Sequence, residues 1–88
     1  MSHTSENTKQ ILEPLGLQDN PGGSLAQVAL LSARIDALQK HLEANKKDKH
    51  SRRGLLQMVA DRRRHVRYLR RTDSEGYARL ASQLGLKA

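Results

Sequence analysis

Eighty-eight residues suffice for one small domain that buries only about 60–65% of the surface its unfolded chain exposes, and the lack of cysteine excludes a disulfide framework and a cysteine-based zinc site. With no Phe or Trp and only Tyr68 and Tyr77 as aromatics, a core must come from Leu, Val, Ile, Met and Ala, which suits packed helices and not a sheet. The formal charge of +7 lies in one segment: Lys46 to Arg71 holds eleven Lys or Arg against two acids, and the rest has five basic and seven acidic residues, so a polyanion is the first partner to weigh. No apolar run approaches the ~20 residues that span a bilayer, and MSHTSENTKQ has no signal-peptide core, so a soluble, intracellular chain is expected.

In chain order, residues 5–15 read as a short helix. Thr4 or Ser5 can cap it, Glu6 suits its first turn, and Ile11, Leu12 and Leu15 form a small apolar face ended by Pro14 and Gly16. Residues 1–4 are expected to be flexible, and residues 16–23 a loop, because they include QDNPGGS. Ser24 opens S-L-A-Q, a capping-box pattern with Gln27 at its third position. The helix that follows, about 24–44, carries Val28, Leu31, Ile35, Leu38 and Leu42 in a heptad seam.

Asn45 to Lys49 interrupt the pattern, and Asp48 is a good N-cap for a third helix, about 49–72, with Ser51 as its third residue. Leu55, Val59, Val66 and Leu69 line its seam; Arg62 falls at a seam position, where its methylenes can lie on the core while the head stays in solvent. Asp73 caps a last helix, about 74–85, with Tyr77, Leu80, Ala81 and Leu84 inward, and Gly85-Leu86 reads as a Schellman-type ending. The expected fold is all-α: two long antiparallel helices forming a hairpin, with a short helix at each end.

Pairing the long helices about a turn near residue 47 sets Gln27 near Arg67 and Tyr68, and His41 near Arg53. Beside the apolar seam of the second helix runs a polar stripe, Gln27, Arg34 and His41. Arg64, Tyr68 and Arg71 share a face of the third. Two polar clusters result: Gln27 with Arg64, Tyr68 and Arg71, and His41 with the Asp48–Ser51 turn. Gln27 and His41 lie about 21 Å apart at ~1.5 Å per residue, a span that suits two footholds on a nucleic acid better than one small-molecule pocket. Plainer readings stand beside these: Gln27 closing its capping box, Asp48 and Ser51 serving as caps, His41 a solvated side chain, Tyr68 a core edge, and Arg62–Arg64 a solvated face. No glycine-rich phosphate loop, close acid pair or Ser-His-Asp set points to catalysis, and His3, His41, His50 and His65 fall at no metal-ligand spacing. No enzyme, cofactor or metal is expected.

HL-x-x-x-KKD-x-HS-x-RGLL from His41 to Leu56 and RRR-x-x-x-YL from Arg62 to Leu69, together with QVALL at Gln27–Leu31 and Leu84-Gly85, resemble the bacterial small-subunit ribosomal protein fifteen family. The likeness runs from about residue 8 to the end of the chain. It implies one RNA-binding helical domain over residues 1–88, a structural constituent of the cytoplasmic ribosome that binds small-subunit ribosomal RNA at a three-way helical junction and at a nearby step of one arm, holding the junction for assembly. Gly22, Gln27, Arg64, Tyr68 and Arg71 would then sit at the junction, with Arg34 grouped with them. His41, Asp48 and Ser51 would read the shallow groove of the arm, with Lys46, Lys47, His50 and Arg53 around them. Further implied partners are neighbouring small-subunit proteins and large-subunit RNA at the subunit interface; the free protein is expected to be a monomer.

The loop departs from the family's usual Asp-Thr-Gly-Ser. Asn20, Pro21, Gly22 and Gly23 stand there, and Leu25-Ala26 replaces an acid-containing pair. Pro21 has neither hydroxyl nor N–H to offer a ligand, whereas Gly22 still permits close backbone approach. Two rivals remain: a basic amphipathic helix on an anionic membrane, which calls for insertion aromatics that this chain lacks, and a helical DNA-binding domain.

Overall fold

The computed structural model describes residues 5–86; the expected flexibility of residues 1–4 and a cap at Thr4 lie outside them. The described residues form α1 (Ser5–Leu12), a 3-10 turn (Glu13–Leu15), α2 (Ser24–Ala44), α3 (Lys49–Thr72) and α4 (Ser74–Leu84), with no strand among them. The first helix is thus shorter than expected. Pro14 cannot donate to the helical ladder, and the chain tightens into the 3-10 turn. Gly16 then adopts a left-handed conformation at φ 72°, with its N–H bonded to Glu13 O and that of Leu17 to Leu12 O.

α2 and α3 form the expected antiparallel hairpin, the longest dimension of a 39 × 27 × 19 Å molecule. Cross-helix bonds set its register: His41 to Asp48 at the turn, Ser32 to Arg62 midway, and Ser24 to His65 at the far end. The core gathers at that far end. Leu12 of α1, Ala26, Val28, Ala29 and Leu30 of α2, Leu69 of α3, and Tyr77, Leu80 and Ala81 of α4 are all buried together. Toward the turn the seam thins: Leu38, Leu42, Leu55 and Met58 are only half-buried.

Two local expectations are overturned. The capping box at Ser24 does not form: the N-cap is Gly23, in extended conformation and without a side-chain bond, while Gln27 Nε2 donates to Pro21 O at 2.9 Å and Ser24 Oγ lies 3.3 Å from His65 Nδ1. A hydroxyl satisfied by a neighbouring helix has no need of its own first turn. Nor does the Arg62 head stay in solvent. Its Nη1 donates to the hydroxyl of buried Ser32 at 2.9 Å, because that hydroxyl would otherwise be desolvated without a partner.

The caps of the later helices form as expected. Asp48 accepts from the Ser51 N–H and Asp73 from that of Gly76, each at 3.0 Å. Gly85 is left-handed at φ 75°, and Leu86 N–H bonds Ala81 O at 2.8 Å, a Schellman ending that folds Leu86 onto the core.

Candidate nucleic-acid interface

At the hairpin turn, His41, Asp48 and Ser51 form one hydrogen-bonded cluster. Ser51 Oγ donates to Asp48 Oδ2 at 2.6 Å, and His41 Nε2 lies 2.9 Å from the same oxygen. Asn45 Nδ2 donates to His41 O at 2.9 Å and stands 3.5 Å from His41 Nδ1, bracing the ring from the other side. The bonds from the Ser51 hydroxyl and N–H, and then from His41, hold the Asp48 carboxyl well below the usual carboxylate range. Asp48 is therefore ionised through all ordinary pH, and the Ser51 hydroxyl proton is already committed to it. Lys46, Lys47, His50 and Arg53 are exposed around it. The Lys46 carbonyl takes a bond from Arg52 at 2.6 Å, which fastens the turn to α3. Arg53, expected opposite His41, lies outside the bonded cluster.

At the other end, an open groove of about 870 Å³ lies between the 16–23 loop, the start of α2 and the last turns of α3. Gly22, Arg64 and Tyr68 line it together; Tyr68 is 49% exposed, so it is a surface aromatic and not a core edge. A side-chain carbon on Gly22 would meet nothing within 4 Å, so packing does not demand glycine there, and the bare backbone faces open space. Gln27 acts behind the groove: half-buried, it holds the loop through the Pro21 carbonyl. Pro21 thus contributes through the only polar backbone atom that it has.

Arg71 is exposed just past the groove and does not line it. Arg34 belongs geometrically with the turn cluster, beside a hollow shared with His41, Ser51 and Met58, and not with the groove. Exposed Arg64 is ion-paired with half-buried Asp61, a surface interaction worth about 0–1 kcal/mol that a phosphate can displace.

Sequence reasoning missed His65 and Thr72 in the groove wall. Thr72 donates to the Tyr68 carbonyl at 3.0 Å, and its place one turn beyond Tyr68 was readable from spacing. His65 carried no such signal, since its partner Ser24 is 41 residues away. Among the described residues no cluster of three or more His, Cys, Asp or Glu could hold a metal, and no helix is long and apolar enough to cross a membrane.

A sequence model of the family described as ribosomal protein S15 matches residues 8–87. Three relatives carry the name small ribosomal subunit protein uS15. The one from Chromobacterium violaceum is 54% identical over 70 residues, covering 80% of this chain and 79% of its own. Those from Dictyoglomus thermophilum and Mycobacterium avium are 47% and 49% identical over 88 residues, covering 99% of both chains. A match over nearly the whole chain, in step with the helices described above, makes this protein a non-enzymatic member of the ribosomal protein S15 family.

Proposed function

We propose that the protein binds small-subunit ribosomal RNA as a two-point clamp in the cytoplasmic ribosome, as one helical domain. The groove takes a three-way helical junction and the turn cluster reads the shallow groove of one adjoining arm, so that the junction is held in the arrangement that later assembly steps require. One observation carries the reading: the two polar clusters stand at opposite ends of the hairpin, and the one at the turn is acidic within the most basic part of the chain. A surface made only to attract phosphates has no use for a carboxylate stabilised in its charged form. A surface that must accept from a guanine amino group or a 2′-hydroxyl does, because the shallow groove of A-form RNA displays those donors.

At the groove, Arg64 neutralises phosphate, the exposed ring of Tyr68 offers a stacking face, and the backbone at Gly22 allows a strand to come close. Arg71, Lys46, Lys47, Arg53 and Arg34 supply the surrounding positive field, with His50 exposed among them. Neighbouring small-subunit proteins, and large-subunit RNA at the subunit interface, are the further contacts of this reading, and the free protein is a monomer.

Chemical footprinting on complete small-subunit ribosomal RNA tests the clamp. Two separate protected sites, a junction and a step in one of its arms, are expected. A single diffuse protection, or equal competition by duplex DNA of the same length, would overturn it.

A further inference from the structure

The basic charge of α3 is not confined to the faces assigned above. Lys49, Arg52, Leu56, Arg63, Arg67 and Arg70 follow one another at spacings of 3, 4, 7, 4 and 3, which places them on one edge of the helix. All six are exposed, and Leu56, at 67%, is the most exposed large apolar side chain among the described residues. No acid falls on this edge. Asp61, the sole acid within α3, sits on the other side, where it pairs with Arg64.

Toward the C-terminal end of α3 the edge opens into a hollow of about 480 Å³. Arg62, Arg63, Arg67 and Arg70 border it, and Val66, Tyr77 and Leu86 complete its wall. Arg70 lies 5.8 Å over the Tyr77 ring, a cation–π contact that anchors this border to α4. This hollow shares no lining residue with the groove that holds Gly22, Arg64 and Tyr68.

Like charges concentrated on one helix edge repel one another, a cost that a line of anions laid along the edge would relieve. The steps between Arg63, Arg67 and Arg70 are about 6 and 4.5 Å at ~1.5 Å rise per residue, comparable with the advance from one phosphate to the next along a polynucleotide strand. Guanidinium forks match phosphate oxygens pairwise. An acidic peptide would present its carboxylates on alternating sides of an extended chain and meet this single edge with only half of them.

We propose that the Arg63–Arg67–Arg70 edge is a second RNA-backbone site, which holds a strand of small-subunit ribosomal RNA lying outside the junction and arm taken by the opposite face. It rests on the RNA-binding reading above and extends it from a clamp to a wedge held between two RNA segments.

The test compares wild type with Arg63→Gln/Arg67→Gln on two RNAs, complete small-subunit ribosomal RNA and a minimal fragment with only the junction and its arm. Both arginines are exposed, and a thermal melt checks that the variant folds. Fragment affinity should stay within about twofold. Affinity for the complete RNA should fall about tenfold, with a salt slope lower by up to ~2, and one hydroxyl-radical protection outside the fragment should vanish. Equal effects on both RNAs, including none on either, would overturn the second site, as would loss of binding to oligoglutamate with RNA binding intact. If wild type itself ignores the fragment, the clamp reading fails instead.

Discussion

The Asp48 carboxylate takes three hydrogen bonds from two helices: the Ser51 N–H as N-cap, the Ser51 hydroxyl, and His41 across the hairpin. Its aspartate and serine were legible in the sequence as a cap, because N-capping depends on a few consecutive residues. The second role proposed for them, as acceptors toward RNA, depends on where the hairpin delivers His41. Asp48→Ala and Ser51→Ala should each cut the discrimination between matched and altered arm sequences by ~1–3 kcal/mol and leave the salt slope almost unchanged, measured by paired RNA titrations. Unaltered discrimination would remove the groove-reading role. The lowered pKa of Asp48 also fixes a sign: a carboxyl whose folded pKa lies below its unfolded value near ~3.9 adds stability that is complete above that value and is lost as pH falls toward the folded pKa. The stability advantage of wild type over Asp48→Asn should therefore be full at neutral pH and shrink progressively as pH falls below about 4, measured by unfolding curves across a pH series. Ser24 shows the opposite case. Its sequence context promised a capping box, and a histidine 41 residues away took the hydroxyl instead.

Within α2, the seam of Val28, Leu31 and Ile35 was readable from its period, and all three are buried. Burial of Ala26, Ala29 and Leu30 was not readable, because α1 and α4 cover that second face and nothing in α2 announces them. Arg62 in the seam of α3 is explained by Ser32, likewise beyond the reach of local pattern. The pair yields a double-mutant test. Arg62→Leu alone leaves the buried Ser32 hydroxyl without this donor and should cost about 1–3 kcal/mol in urea unfolding. Adding Ser32→Ala should recover most of that loss, since replacing both partners by apolar groups can be nearly neutral. Additive losses would show that the bond does not matter.

Over the whole molecule, the net charge of +7 predicts strong affinity for any polyanion at low salt, and the two ends of the hairpin should differ in how they respond to it. Arg64→Gln with Arg71→Gln should flatten the dependence of log affinity on log salt by up to ~2 while preserving discrimination at the arm. That is the reverse of the Asp48 and Ser51 pattern, and filter binding across a salt series separates them. An unchanged slope would take both arginines off the phosphate backbone. The lopsided core adds a kinetic side to this picture. One end of the hairpin is locked among four helices, while the end that bears His41, Asp48 and Ser51 is a two-helix finger with a half-buried seam. Amide exchange should thus grade along the molecule, slowest near Leu69 and Leu80 and fastest beyond Leu38 and Leu55. On the clamp proposed above, RNA would grip this finger by quieting it, so protection gained on binding should be greatest at the tip, with part of the binding free energy going into finishing the fold.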